Sequence, residues 1–280
     1  MQMIDFYIPL EEWVNLLFDY VSAIISPILR SASDGLSYII SGFEYALLWP
    51  PEIIIMILLS GIVWLLVNYR LAIFAFLGLL LIYGTDMWAP SMSTVALALT
   101  ATAVSLLIGI PLGILASQSR AVQNIVRPVL DFMQTLPSFV YLIPAVMFFG
   151  MGQVAAMVAT MIFAMPPAVR LTNLGIREVS TEMVEAAKAF GSSRWQTLKE
   201  VQLPLAMSTI LAGVNQVIML ALAMTVIASM IGAGGLGSVV LRSMQTLDIG
   251  MGFVGGLAIV ILAILLDRLT EGVSNKKKEN

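Results

Sequence analysis

The chain has 280 residues, of which 59% are hydrophobic and 11% are charged, whereas a soluble domain carries about 25% charged residues. Such a composition cannot be buried in one core surrounded by water, so we expect an all-α, polytopic membrane protein. The chain has no Cys and no His, which excludes disulfides, thiolate nucleophiles and His-based catalytic or metal sites. The net charge of −3 gives no basis for binding nucleic acid.

Residues 1–50 are expected to form an amphipathic segment on the outer side of the membrane. Apolar side chains recur at helical spacing within residues 10–47, with acidic and polar residues between them. Pro27 and Asp34–Gly35 interrupt this pattern. We therefore expect a surface helix, a bend and a second helical piece around residues 36–47. A helix packed on the bundle is an equal alternative.

Seven later stretches approach the ~20 apolar residues that a membrane-spanning helix needs. They cover residues 52–67, 71–85, 95–116, 136–149, 154–169, 205–231 and 251–266. The first two are expected to be peripheral spans within residues 51–90, and the others belong to a core of residues 91–270. Pro111, Pro137 and Pro144 lie in or beside these stretches and are expected to kink their helices.

Positive charge predicts the orientation of the spans. A topology with the N-terminus outside and the C-terminus in the cytoplasm leaves only Arg30 and Arg242, of 14 Lys and Arg residues, on the outer side. Residues 271–280 then form a basic cytoplasmic tail, and the long connection over residues 170–204 also lies in the cytoplasm.

The spans offer no obvious source of energy. Charged residues are nearly absent from them, which argues against a carrier coupled to protons or sodium. The chain contains no GxxxxGK[ST] loop, the motif that binds the phosphates of ATP, so we expect it not to bind ATP by that motif. The glycine-rich stretch 232–237 follows an apolar helical run rather than a strand, so we interpret it as a break after a span and not as a dinucleotide site. We expect no catalytic residue, no metal and no cofactor on this chain. The energy for transport therefore comes from another subunit, or the protein is a passive pore.

The connection over residues 170–204 has a helical pattern of its own. Ser180 is a candidate N-cap, and Gly191 is placed for a left-handed helix end. Ser193 and Gln196 have the spacing of a capping box that begins a second short helix, which we expect Pro204 to stop. The expected element is a helix, a glycine turn and a helix that project from the membrane.

This connection resembles the EAA signature of ABC importer permeases. The residues that carry the resemblance are Glu185, Ala186, Ala187, Gly191, Leu203 and Pro204. The resemblance implies that they contact a cytoplasmic ATPase and couple ATP hydrolysis to transport. Two small alanines allow close approach to a partner, and Glu185 offers it a charge. A helical hairpin without a partner is the alternative.

Three further stretches, residues 134–144, 166–172 and 230–237, resemble glycine betaine/proline betaine permeases. The resemblance implies a type I ABC importer permease core in the bacterial cytoplasmic membrane. It implies a second copy of the permease, two cytoplasmic ATPase subunits that bind ATP and Mg, an external substrate-binding protein and surrounding membrane lipid. The cargo would be glycine betaine or proline betaine. Choline, carnitine or an amino acid remains an alternative cargo, and a passive osmotic channel is the alternative from another class.

Aromatic side chains are the candidates for lining the substrate path, because their faces hold quaternary ammonium groups. The stretch 136–149 is enriched in them. The path residues we predict are Phe139, Tyr141, Phe148 and Phe149.

Overall fold

The computed structural model describes residues 9–279, without the side chains of residues 17, 25–28, 30 and 273–279. Nearly all of this range is helical. The first helices are α1 (Leu10–Leu48), α2 (Glu52–Leu66), α3 (Tyr69–Gly84) and α4 (Trp88–Gln118). The middle ones are α5 (Arg120–Thr135), α6 (Leu142–Phe149), α7 (Gln153–Ala164), α8 (Pro166–Arg177) and α9 (Thr181–Ala189). The last are α10 (Arg194–Gln196), α11 (Leu203–Ile227), α12 (Gly235–Thr246) and α13 (Ile249–Glu279).

Four continuous helical stretches are long and apolar enough to cross a bilayer within the described residues. They are Trp88–Gln118, Gln153–Arg177, Arg194–Ile231 and Ile249–Gly272. The number rises to six if each of two sharply bent helix pairs counts as one span, and α3 is a shorter apolar helix. The all-α membrane class is therefore confirmed, while the number of about seven spans stays a prediction.

The N-terminal helix differs from the expected two pieces. α1 runs without a break from Leu10 to Leu48, through Pro27 and Asp34–Gly35. A proline or glycine inside a helix weakens it without necessarily ending it, because neighbouring turns keep their hydrogen bonds. The second half of α1 packs on the bundle, where Ile40 is buried in a core cluster.

The stretch 136–149 is not one straight span. Leu136 has an extended backbone because the next residue is Pro137, and the chain turns by 112° between α5 and the helical segment Ser138–Phe149. The sequence predicts a kink at Pro137, whereas the structure has a break there, because α5 ends at Thr135. Pro144 is the third residue of α6, which directly follows the 3-10 turn Ser138–Tyr141, and α4 continues through Pro111, so neither proline ends its helix.

Glycines bring α8 very close to both of its neighbours, α4 and α11. A Cβ at Gly109 would lie 2.7 Å from Cβ of Ala168, and one at Gly113 would lie 2.7 Å from the carbonyl oxygen of Val169. On the other side, a Cβ at Gly213 would lie 3.2 Å from the carbonyl oxygen of Pro167. These close contacts fix α8 between two helices.

The glycine-rich stretch after α11 is a break, as expected, but a helix that the sequence analysis missed follows it. Gly232, Gly234 and Gly235 all have positive φ, between 67° and 86°. α12 then starts with a hydrogen bond from the Leu236 amide to Oγ1 of Thr94, which ties it to the start of α4.

Candidate functional site: the coupling segment

The span formed by α7 and α8 extends further than its hydropathy suggested. Residues 170–177 belong to α8, because Val169, Thr172 and Ile176 lie at helical spacing and are all buried. The connection expected over residues 170–204 is therefore shorter: it consists of residues 178–193, which we call the coupling segment. Its central element is α9.

A left-handed glycine ends α9. Gly191 has φ +84°, and its amide donates to the carbonyl of Lys188 at 2.9 Å, while the amide of Ser192 donates to the carbonyl of Ala187 at 3.1 Å. These two bonds form a Schellman motif, which uses glycine because a Cβ disfavours this conformation. The predicted turn at Gly191 is confirmed. Ser180 lies at the N-cap position, although its hydroxyl accepts no capping hydrogen bond.

The second short helix begins as expected but does not stop at Pro204. Ser193 and Gln196 exchange both capping-box hydrogen bonds. The chain then makes a π-helical turn over Thr197–Gln202 and continues directly into α11. Pro204 has no amide hydrogen to donate, yet the helix is not interrupted there. We attribute this to the wider π-helical turn just before Pro204. The helix that leaves the coupling segment is thus continuous with a membrane span.

The predicted coupling residues occupy two different environments. Glu185 and Ala186 are exposed on α9, and none of the residues of α9 is buried. Leu203 instead packs on a buried cluster at the base of the segment, next to Pro204, which is exposed. That cluster consists of Ile176, Leu198, Ala206 and Ile210.

Two aromatic side chains stand out beside the glycine turn. Phe190 is 92% exposed and Trp195 is 67% exposed. Neither residue belongs to the EAA pattern from which the coupling residues are predicted. Because α9 is flanked by two large apolar side chains that are mostly exposed, the segment has the surface of a protein contact site. An aromatic residue on each side of a glycine turn is the signal that could have found them.

A cleft between α5 and α8 opens near the base of the coupling segment. It has a volume of about 380 Å³. Nη2 of Arg170 on α8 lies 2.6 Å from Oδ1 of Asp131 on α5, an ion pair that joins helices with few other contacts. We call this cleft the basic cleft, because its lining contains three guanidinium groups, of Arg127, Arg170 and Arg177, and a single carboxylate, of Asp131.

The four predicted path aromatics do not gather at one place. Tyr141 is buried, its hydroxyl donates to the carbonyl of Met133, and its ring contacts Phe163 edge-on. Phe148 packs against Phe18 of α1 with ring centroids 4.7 Å apart. Phe149 packs partly buried on a core cluster, and Phe139 is 58% exposed. Their role in substrate passage stays a prediction.

Charged groups capable of holding a metal are not clustered in the described part of the chain. No group of three or more His, Cys, Asp or Glu side chains comes together there.

The sequence from residue 109 to residue 279 matches the family described as "Binding-protein-dependent transport system inner membrane component". That range is more than half of the chain and contains α8, the coupling segment and α11. The chain belongs to this family. Its members are transport components rather than enzymes, and the family places the coupling segment in a membrane permease.

Curated relatives match this permease over nearly its whole length. The glycine betaine/carnitine transport permease protein GbuB of Listeria monocytogenes is 51% identical over 281 residues, covering 97% of each chain. The glycine betaine transport system permease protein OpuAB of Bacillus subtilis is 45% identical, with 97% and 96% covered. The glycine betaine/proline betaine permease ProW of Escherichia coli is 46% identical, with 97% of this chain and 77% of that protein covered.

Solved structures share the fold of the core. A chain of the MetNI methionine ABC transporter in an inward-facing conformation superposes with a TM-score of 0.62 at 20% identity, covering 66% of this permease and 93% of that chain. A chain of an amino acid ABC transporter crystallised with histidines superposes with a TM-score of 0.55, covering 71% and 98%. The similarity supports the type I importer fold for the core.

Proposed function

We propose that this permease carries glycine betaine, or a closely related betaine, into the cell by using ATP hydrolysis on a separate subunit. The observation that carries this proposal is the exposed α9 with its Gly191 turn, set at the end of a membrane span. Relatives that are 45–51% identical over 97% of the chain are named as glycine betaine permeases, which supports the cargo.

The ATPase is proposed to bind on the exposed surface of α9. Ala186 lets a partner approach the helix backbone closely, and Glu185 offers a charge at the edge of the contact. Phe190 and Trp195 supply large apolar anchors of the kind that dominate protein interfaces. Because Leu203 lies at the start of α11, a movement of the segment is passed directly to that span.

The remaining partners and the orientation are also part of this proposal. We propose two copies of the permease, two ATPase subunits with bound ATP and Mg, and an external binding protein that delivers the substrate. The coupling segment and the C-terminus would face the cytoplasm, and the N-terminus would lie outside, as the distribution of Lys and Arg predicts. Glu185, Ala186, Ala187, Gly191, Leu203 and Pro204 are the proposed coupling residues.

Carnitine is a second candidate cargo, because the relative GbuB is named a glycine betaine/carnitine permease. Carnitine shares with glycine betaine a quaternary ammonium and a carboxylate. Choline has the ammonium alone.

The test is uptake of radiolabelled glycine betaine into vesicles that contain the permease, its ATPase and its binding protein. We expect uptake that requires ATP and stops when the ATPase subunit is omitted or cannot hydrolyse ATP. Uptake that continues down a gradient without the ATPase would instead identify a passive channel. Uptake of choline in preference to either betaine would overturn the proposed cargo.

A further inference from the structure

The basic cleft is a second site on this chain, separate from the exposed surface of α9. It lies between the end of α4, the polar face of α5 and the part of α8 from Val169 to Arg177. Its volume of about 380 Å³ is within the range of small-molecule pockets. Gln123, Val126 and Leu130 line it from α5, and Val169 and Leu174 line it from α8. A mostly apolar wall with a few charged groups is the usual make-up of a ligand site.

The charges in the cleft do not balance. Three guanidinium groups, of Arg127, Arg170 and Arg177, face one carboxylate, that of Asp131. Asp131 is already paired with Arg170 at 2.6 Å, and within the described residues Arg177 reaches only the carbonyl of Ala116, at 3.4 Å. Arg127 has no ion pair among the described residues. The cleft therefore has positive charge available for an anion, and arginine binds carboxylates with two parallel hydrogen bonds.

The orientation of α5 gives the cleft its polar character. Ile125, Val129 and Phe132 form an exposed apolar stripe on one side of α5. Arg127 and Asp131 lie on the side that lines the cleft. In a membrane the apolar stripe is the side suited to lipid or to another apolar surface, and the charged side is the one suited to water.

We propose that the basic cleft is a low-affinity site for the carboxylate of the transported zwitterion, on the side of the membrane that carries the coupling segment. This deepens the proposed function and rests on it. The carboxylate binds Arg127 and Arg177 and competes with Asp131 for Arg170. Because the Arg170–Asp131 pair joins α5 to α8, an occupied cleft loosens that link just before the substrate is released.

The chemistry of the wall sets the specificity. None of the residues lining the cleft is aromatic, so it offers no ring face to a quaternary ammonium. Excess positive charge repels a simple cation. The cleft thus accepts glycine betaine and carnitine and rejects choline, which has no carboxylate.

The experiment measures radiolabelled glycine betaine bound to the complete permease–ATPase complex in nanodiscs of neutral lipid, without binding protein or nucleotide. Arg127→Gln is expected to weaken binding roughly tenfold, the effect of removing one charge-assisted hydrogen bond. Asp131→Asn is expected to strengthen it, because Arg170 loses its competitor. Arg70→Gln, on α3 and away from the cleft, is the control and should bind like the wild type.

Opposite effects of Arg127→Gln and Asp131→Asn would not arise from a general loss of structure. The proposal is overturned if the wild-type complex binds no glycine betaine, if the Asp131→Asn variant binds no more tightly, or if unlabelled choline displaces the label as well as carnitine does. Displacement of the label by anionic lipid in the nanodisc would assign the cleft to a phospholipid headgroup and would also overturn it. If ATP-driven uptake is normal while these results fail, only the cleft proposal fails.

Discussion

The turn at Gly191 offers a direct test of coupling, and we expect Gly191→Val to separate ATP hydrolysis from transport. A Cβ at this position would meet no heavy atom within 4 Å, so the substitution creates no clash. Its cost comes only from the backbone, since Gly191 has φ +84°. An L-residue held in this left-handed conformation costs roughly 1–2 kcal/mol, and a β-branched residue lies at the unfavourable end of that range.

A cost of about 1.4 kcal/mol corresponds to a tenfold change in an equilibrium. We therefore expect the population of α9 in its native geometry, relative to a rearranged turn, to fall by about tenfold. The Schellman hydrogen bonds of Gly191 and Ser192 would be lost with it. ATP hydrolysis by the assembled complex should continue, while betaine transported per ATP should fall, by at most about tenfold.

The assay is the ratio of betaine uptake to ATP hydrolysis in reconstituted vesicles, with two matched variants. Gly191→Asn should retain most coupling, because asparagine adopts left-handed geometry more easily. Gly256→Val makes the same side-chain change at another glycine with open space around it, but Gly256 does not have positive φ. It should couple normally. A wild-type ratio in Gly191→Val, with the complex intact, would refute the proposed role of the turn.

Three further changes probe other parts of the permease. Glu185→Ala should weaken co-purification of the ATPase while the chain still inserts in the membrane; unchanged recovery would argue against a docking role. Gly113→Ala should lower the thermal unfolding temperature by an amount equivalent to about 1–3 kcal/mol, because its Cβ would lie 2.7 Å from the Val169 carbonyl oxygen, while Gly256→Ala should not. Ser193→Ala should cost about 1 kcal/mol locally, seen as faster amide exchange at Gln196.

Features set by neighbouring residues could be predicted from the sequence. The turn at Gly191 and the capping box of Ser193 and Gln196 depend on a few adjacent positions, and both are present. The close approach at Gly109 and Gly113 was also foreseeable, since small residues four apart on an apolar helix favour packing.

Features that depend on distant parts of the chain were missed. The pair between Asp131 and Arg170 joins residues 39 positions apart, and no local pattern indicates that α5 and α8 lie side by side. The extension of α8 to Arg177 was missed because polar residues on its exposed face lower the mean hydropathy, although its other face is buried. The helix after the glycine-rich break was missed because its first hydrogen bond comes from Thr94, far away in sequence.

The glycine contacts of α8 have a consequence for exchanging parts between permeases. A graft of residues 178–193 replaces only the coupling segment and keeps every contact of α8 with α4 and α11. A graft of residues 170–204 also replaces Thr172 and Gly175, which fit against Gly113 and Thr209 with no room for an additional methyl group. The shorter graft should therefore change which ATPase the permease accepts, whereas the longer one requires compensating changes on two other helices.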